Sequence, residues 1–468
     1  MFKSFTITSK DIGMGFRFEP SFYYYSTVLK RRNLDKGIEY IKLDDLSEKI
    51  SDGEHSHIPR QKEKGIRYLY GRNIKEGIVN FDPISDAPYI SEKNYKDFKR
   101  THIKQNDLLL TIVGTIGKSA LYKTEYIGKA GIPRHIAKIT IKKDSHITPE
   151  FITAFFRSKI GKWQLLNITT GNIQPLLSIK NIRTLDIPKT NRKFIKNITK
   201  LEDKALENEI NALSLLQQAQ QFFYQILNVD FSKIKKENFY PVNLSNFKNI
   251  DLWTPKYSCP LYINTLKAIQ KKWQTVTFGE IAVVKKGDEV GSDNYNKYLD
   301  KKDTDVPFIR TSDLVNYEVD QFPDFYIPEE IYQELNQDIK AGDVLFNNDG
   351  KIGLVAMLTA QDKVILQSHI RRLRLKREAI EKYNLTREYL FLVLSIKEIA
   401  KYQADRYTVI QSTIPTISNH LIDIEIPILD KDSIDEITKL VRQAFKLKNE
   451  KKKLIQEVRE EIDSYFEI

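Results

Sequence analysis

The chain contains itself twice. Feature after feature recurs in the same order at an offset of about 235 residues, and a repeat of that period means two copies of one folded module. Glu39-Tyr40-Ile41-Lys42-Leu43-Asp44-Asp45-Leu46, ending near Gly53, is answered by Trp273-Gln274-Thr275-Val276-Thr277-Phe278-Gly279-Glu280-Ile281, ending at Gly287. Asp107-Leu108-Leu109-Leu110 with Gly114-Thr115-Ile116-Gly117 is answered by Asp343-Val344-Leu345-Phe346 with Gly350-Lys351-Ile352-Gly353. The run from His135 to Ile141 matches that from His369 to Leu375, and Gln174 to Ile179 resembles Gln411 to Ile417. Each half then reaches Ile-Pro, at Ile187-Pro188 and Ile426-Pro427, and passes into a long helical pattern.

Within a module, strands come first and helices after. Leu108 to Val113 and Val344 to Phe346 are expected as buried strands. Ala137 to Ile141 and Arg372 to Lys376 alternate with period two, as half-buried strands do. Thr148 and Thr386 are expected to cap helices, with Pro149 at the favoured first position. Helices are expected over Phe151–Leu166 and Tyr389–Tyr402.

The segments after the Ile-Pro steps follow the heptad rule. Ile198, Leu201, Ala205, Ala212, Leu215, Ala219, Phe222 and Ile226 space by threes and fours, with Asn208 as a polar seam position. Ile437, Leu440, Ala444, Leu447, Leu454, Val458, Ile462 and Tyr465 do the same, with the missing position at Lys451. Helices of about 30 residues are roughly 45 Å long. Neither buries its stripe alone. An approximate two-fold repeat makes each the antiparallel partner of the other; a coiled coil between chains is the alternative.

The expected architecture is mixed α/β (α+β): two repeated domains joined by two long antiparallel coiled-coil helices, pseudo-two-fold symmetric. Its parts are a first domain over 1–190, a central helix over 191–228, a connector over 229–250, a second domain over 251–430 and a C-terminal helix over 431–468.

Composition narrows the functions. Lys and Arg number 74 against 62 acids, a net +12 over 468 residues that favours a polyanionic partner. Hydrophobic residues at 41% can build real cores, and the one cysteine, Cys259, excludes a disulfide framework and any cysteine-based metal site. No apolar run reaches the length of a membrane span, and Met1 to Thr6 has no secretion-signal character, so a cytoplasmic protein is expected.

Catalytic signatures are weak. A DNA amino-methyltransferase needs a Pro-Pro tetrapeptide motif, and Asp82-Pro83-Ile84 fails at its second proline. Gly117-Lys118-Ser119 mimics the end of a phosphate loop, yet Ile112 stands where that loop requires glycine; a strand-to-strand turn using positive φ is the better reading. His55 and His57 have a spacing open to a metal, but nothing completes a site. His135 and His369 read as satisfied histidines entering strands. Gly53 and Gly287 read as turn formers.

Contact candidates are loop cations and amides, because Arg pairs bidentately with guanine, Asn or Gln with adenine, and Lys meets phosphate. In the first copy they are Arg60, Gln61, Lys62, Lys64, Arg67, Arg72, Asn73, Thr170, Asn172 and Gln174. In the second they are Lys285, Lys286, Arg310, Asn347, Asn348, Lys351 and Gln411.

In order and architecture the chain resembles, over nearly its whole length, a specificity (S) subunit of a type I DNA restriction–modification system. The carriers are the two-fold repeat, the opening strand closed by Ile50-Ser51-Asp52-Gly53-Glu54-His55, the Asp107-to-Lys118 run, the glutamine-to-isoleucine steps before each Ile-Pro, and the two helices. Phe18 to Tyr23 corresponds to Trp253 to Tyr257, which places the opening segment in the first module. The resemblance implies two target-recognition domains, each reading one half of an asymmetric split DNA site. It implies helices that act as a ruler and dock two methyltransferase (M) subunits through Ile198, Leu201, Leu215, Phe222, Leu440, Leu447, Leu454 and Val458. It further implies restriction (R) subunits in the full complex, S-adenosylmethionine in the partners, and neither cofactor, metal nor catalytic residue in this chain. A stand-alone methyltransferase or nuclease, or a scaffold that binds no DNA, are the alternatives; methyl transfer without partners would mark the first, and salt-dependent DNA binding would exclude the second.

Overall fold

The computed structural model describes residues 37–61, 64–75, 77–79, 89–170, 175–237, 239–242, 252, 254–291, 305–411 and 413–466. The opening segment up to residue 36, with its correspondence to Trp253, and the candidates Lys62, Asn172 and Gln174 lie outside them. The chain divides into one unit of residues 1–207 with 451–468, and a second of residues 208–450. The division runs through the two long helices and not at their ends.

In the first unit, β1 (Glu39–Lys42), one helical turn (Leu43–Leu46) and β2 (Ser47–Asp52) open the module. β3 (Leu108–Thr111), β4 (Ser119–Leu121) and β5 (Ile136–Ile141) complete an antiparallel sheet in the order β2-β5-β3-β4. β6 (Asp186–Lys189), which carries the Ile-Pro step, returns to pair with β1, Ile41 opposite Ile187. The sheet is covered on both faces. Leu108, Leu110 and Ile139 point into the core shared with the helices. Leu109, Ala120 and Ile136 enter a second cluster under the loop-rich layer. Five of the six β5 residues are therefore buried, not every second one as alternation suggested. Burying each leucine of β3 contributes about 1.5–3 kcal/mol.

Thr148 caps α1 (Pro149–Arg157), its hydroxyl accepting from the Phe151 N–H at 3.1 Å. The helix expected to run on to Leu166 stops at Ser158, which caps α2 (Lys159–Asn167) through the Gly161 N–H. A Cβ on Gly161 would lie 1.9 Å from the Phe155 carbonyl oxygen, so this corner closes only around glycine. Beyond β6 begins α3 (Arg192–Leu227), 36 residues long.

The second unit repeats these parts. β7 (Thr275–Thr277), a turn (Phe278–Ile281) and β8 (Ala282–Lys286) are followed by β9 (Val344–Asn347), β10 (Val355–Met357), β11 (Ile370–Leu375) and β12 (Glu425–Pro427). The sheet order is β8-β11-β9-β10, and β12 pairs with β7. Thr386 caps α4 (Arg387–Ser395), and here too the helix ends early, at Ile396, giving way to a π-helical turn, Lys397–Lys401. The module closes on α5 (Lys431–Tyr465), 35 residues long.

Both long helices carry a strict three–four seam, one position away from the expected phase in several heptads. On α3 the buried series is Ile195, Ile198, Glu202, Ala205, Glu209, Ala212, Leu216, Ala219 and Phe223. On α5 it is Ile434, Ile437, Val441, Ala444, Lys448, Lys451, Ile455, Val458 and Ile462. Ile198 and Val458 are seam residues as expected. Leu201, Leu215, Phe222, Leu440, Leu447 and Leu454 are half-buried flanks beside it. Asn208 is buried next to the seam residue Glu209. In the first unit the helices run antiparallel, with Phe194 stacked on Tyr465 at 4.2 Å and Asn197 donating to Glu461 at 2.8 Å.

Charged seam residues are paired. In the first unit Arg157 of α1 donates to Glu202, both almost fully buried. Burial pushes the Glu202 carboxyl up, and the guanidinium opposes that shift. In the second unit the Lys448 ammonium, wholly buried, lies 3.0 and 3.1 Å from the two Glu209 oxygens and 3.8 Å from Glu318. Thus the module body supplies the cation to its long helix in one unit and an acid in the other.

Candidate nucleic-acid interface

Two turns recur in both units, and between them they hold the candidates Arg72, Asn73, Arg310, Asn348 and Lys351. The first follows the strand Ile66–Tyr68. A 3-10 turn, Gly71–Asn73, forms because the Asn73 Oδ1 accepts the Tyr70 N–H at 2.8 Å. The Tyr70 ring has two cations on it: the Arg60 guanidinium carbon lies 5.0 Å from its centroid and that of Arg72 5.2 Å, inside cation–π reach. Both arginines are exposed. Burial pushes the Tyr70 phenol up while both guanidiniums pull it down.

The second unit has the same turn, Thr311–Asp313, with Asp313 Oδ2 accepting the Arg310 N–H at 2.9 Å. Arg310 thus stands where Tyr70 stands. Its guanidinium lies 3.8 Å from the Phe325 centroid, with carboxylate oxygens of Asp313 and Asp324 each at 3.7 Å.

The second turn links β3 to β4 and β9 to β10. Gly117 and Gly353 have φ of +82° and +95°, the left-handed conformation expected of a tight turn. Beside it comes the loop around residue 170: Leu176 bridges to both Val113 and Thr170, and the Gly114 N–H donates to the Pro175 carbonyl. In the second unit the hairpin Val409–Gln411/Ile414–Thr416 takes that place, and the Gly350 N–H donates to Pro415. Pro175 therefore corresponds to Pro415, which corrects the repeat register: Gln174 aligns with Ile414 and not with Gln411. Gln411 ends the first strand of that hairpin. Thr170 and Lys351 are exposed.

Three amide candidates are not available to a duplex. Asn347 is 0% exposed, donating to the carbonyls of Asp349 and Lys351 and accepting from the Thr311 hydroxyl. Asn348, also 0% exposed, donates to the Ser418 carbonyl. Asn73 is buried as the turn cap. The amide N–H groups of Asn347 and Asn348 and the Oδ1 of Asn73 are spent on holding loops, as buried amides usually are.

The remaining candidates differ in freedom. Gln61 and Lys64 are exposed, whereas Arg67 donates to the Ile127 carbonyl at 2.7 Å. Lys285 and Lys286 are exposed at the end of β8, on a cleft of about 190 Å³ that Gln337 and Arg372 also line. At the matching end of β2, Asp52 accepts from Arg100 and, at 2.7 Å, from His55. Burial raises the Asp52 carboxyl, but these two hydrogen bonds outweigh it and hold the group below its ordinary value. His369 pairs with Asp349 at 3.0 Å; His57 is exposed. Among the described residues no group of three His, Cys, Asp or Glu side chains could hold a metal. Gly53 and Gly287 are close-approach glycines and not turn formers: a Cβ would meet the Ile132 carbonyl oxygen at 2.2 Å and that of Gln367 at 2.4 Å.

Sequence reasoning missed Arg100, which is tied to Asp52, Lys138, which is buried and donates to the Arg100 and His102 carbonyls, and Tyr70, on whose ring two arginines lie. The alternation of aromatics and cations through Tyr68-Leu69-Tyr70-Gly71-Arg72 was the signal for the last.

Residues 270–458 match the family described as "Type I restriction modification DNA specificity domain". A search of curated proteins finds no match. Among solved structures, the S subunit of a type I restriction-modification system from M. genitalium is 12% identical, over 92% of this chain and 95% of that one, with a TM-score of 0.35. The HsdS subunit from Thermoanaerobacter tengcongensis is 15% identical, over 92% and 96%, at 0.29. No helix among the described residues is long and apolar enough to cross a membrane. Residues 270–458 thus carry a type I restriction modification DNA specificity domain, a domain of DNA sequence recognition.

Proposed function

We propose that each of the two copies reads one half of an asymmetric, split duplex site, while the long helices set the unread spacer and dock two methyltransferase subunits. Restriction subunits join in the full complex, which works in the cytoplasm. The observation that carries this reading is a shared turn backbone with unlike side chains at matching positions. Tyr70 answers Arg310 at the first residue of one turn, and the exposed Thr115 answers the exposed Lys351 between pairs of glycines that keep the same place. A common frame with different functional groups binds one class of polymer and distinguishes its sequences. The net +12 supplies the salt-sensitive attraction to phosphate that precedes reading. The test is selection of bound duplexes from a random pool by the full chain with its methyltransferase partners. Two fixed, different blocks separated by unselected positions are expected; one continuous block, or two identical ones, defeats the reading.

A further inference from the structure

We propose that Arg60 and Arg72, held on the Tyr70 ring, are the guanine-reading residues of the first copy. This rests on the split-site reading and deepens it. Neither guanidinium has a carboxylate or carbonyl partner among the described residues, whereas Arg100 is tied to Asp52, Arg183 to Asp44, and Arg374 to Asp338 and Asp343. Among the described residues their N–H donors are therefore unspent, and both side chains are exposed. The ring supplies what a free surface arginine lacks. It holds two long side chains in place before a ligand arrives, which lowers the entropy lost on binding. The ring is itself fixed by the Asn73 cap at its root. A pre-placed guanidinium offers two parallel donors that match O6 and N7 of guanine in the major groove, a geometry an ammonium cannot copy. At the matching position of the second copy Arg310 has two carboxylates at 3.7 Å, so the two copies present different donor sets.

The test uses the full chain with its methyltransferase partners and sequencing of selected duplexes. Arg60→Lys and Arg72→Lys keep the charge and lose the fork. Each should lower the preference for guanine at one position of one block by roughly 5- to 150-fold, with the other block unchanged. Tyr70→Leu should lower the same preference with both arginines present, and Tyr70→Phe should restore it, because the Tyr70 hydroxyl has no hydrogen-bond partner among the described residues. A uniform weakening of all sequences with the same preference would make these arginines phosphate contacts and overturn the proposal. So would variants that select the wild-type blocks unchanged. A wild type that selects no sequence at all defeats the split-site reading, and this assignment with it.

Discussion

Lys448→Met should destabilise the second unit by about 3–5 kcal/mol, the usual cost of removing one member of a buried ion pair. Methionine keeps most of the volume, so the change isolates charge from packing. The Lys448 and Glu209 side chains are both 0% exposed, with 3.0 and 3.1 Å between the ammonium and the carboxylate oxygens. Glu318 stands 3.8 Å away on the module body. Removing the lysine leaves both carboxylates buried without that ammonium. Glu209→Gln, by contrast, leaves Lys448 facing Glu318 and should cost distinctly less. In a unit of this size each kcal/mol moves the melting temperature by about 2–4 °C, so the lysine variant should melt roughly 6–20 °C lower. Calorimetry of the full chain gives the shift, and hydrogen exchange across 208–227 assigns the transition to this unit. A Lys448→Met protein melting within about 2 °C of wild type, or no more perturbed than Glu209→Gln, refutes the buried-pair reasoning.

Gly53→Ala and Gly287→Ala should each cost more than Gly114→Ala. The first two drive a methyl into a carbonyl oxygen, while Gly114 has open space around its missing Cβ and only a φ of +78° to strain, worth about 1–2 kcal/mol. Equal urea midpoints for the three variants would reject the close-approach reading. Burial pulls the Lys138 ammonium down to about 8. Its folded-state value is thus below that of the unfolded chain, which binds more protons between the two, so Lys138 should make stability rise with pH from about 8 to about 10.5. Urea denaturation of wild type and Lys138→Met across that range should diverge in favour of wild type; parallel curves would count against it.

The repeat was legible because it is written in framework residues: Asp107 and Asp343, the glycine pairs, the Ile-Pro steps. Caps were legible too, since Thr148 and Thr386 act through local hydrogen bonds. The seam phase was not. Heptad reading assumes that a buried stripe is apolar, so it stepped over Glu202, Glu209 and Lys448 and slid onto their neighbours Leu201, Asn208 and Leu447. Charges sit in this seam because partners elsewhere in the fold neutralise them, Arg157 from α1 and Glu318 from the module body, and no local pattern announces such a partner. The same blindness put Asn347 and Asn348 among the contact candidates. An asparagine that caps a turn and one that meets a base look alike until burial is known.

On the proposed reading, the amide and carboxylate caps let one frame carry two different sets of side chains. In the first unit the Tyr70 N–H is held by Asn73, and in the second the Arg310 N–H is held by Asp313. The backbone of the turn is thereby fixed from a position three residues on, in the second unit with the Arg310 guanidinium also 3.7 Å from the Asp313 cap. That residue can pass from an aromatic that gathers two arginines to an arginine stacked on an aromatic without disturbing the sheet beneath. Asn347 does the same for the other turn, where its amide holds the carbonyls of Asp349 and Lys351 and leaves the Lys351 side chain exposed. On the proposed split-site reading, folding at these positions rests on the caps and recognition on the neighbouring side chains, so specificity should change there at little cost to stability.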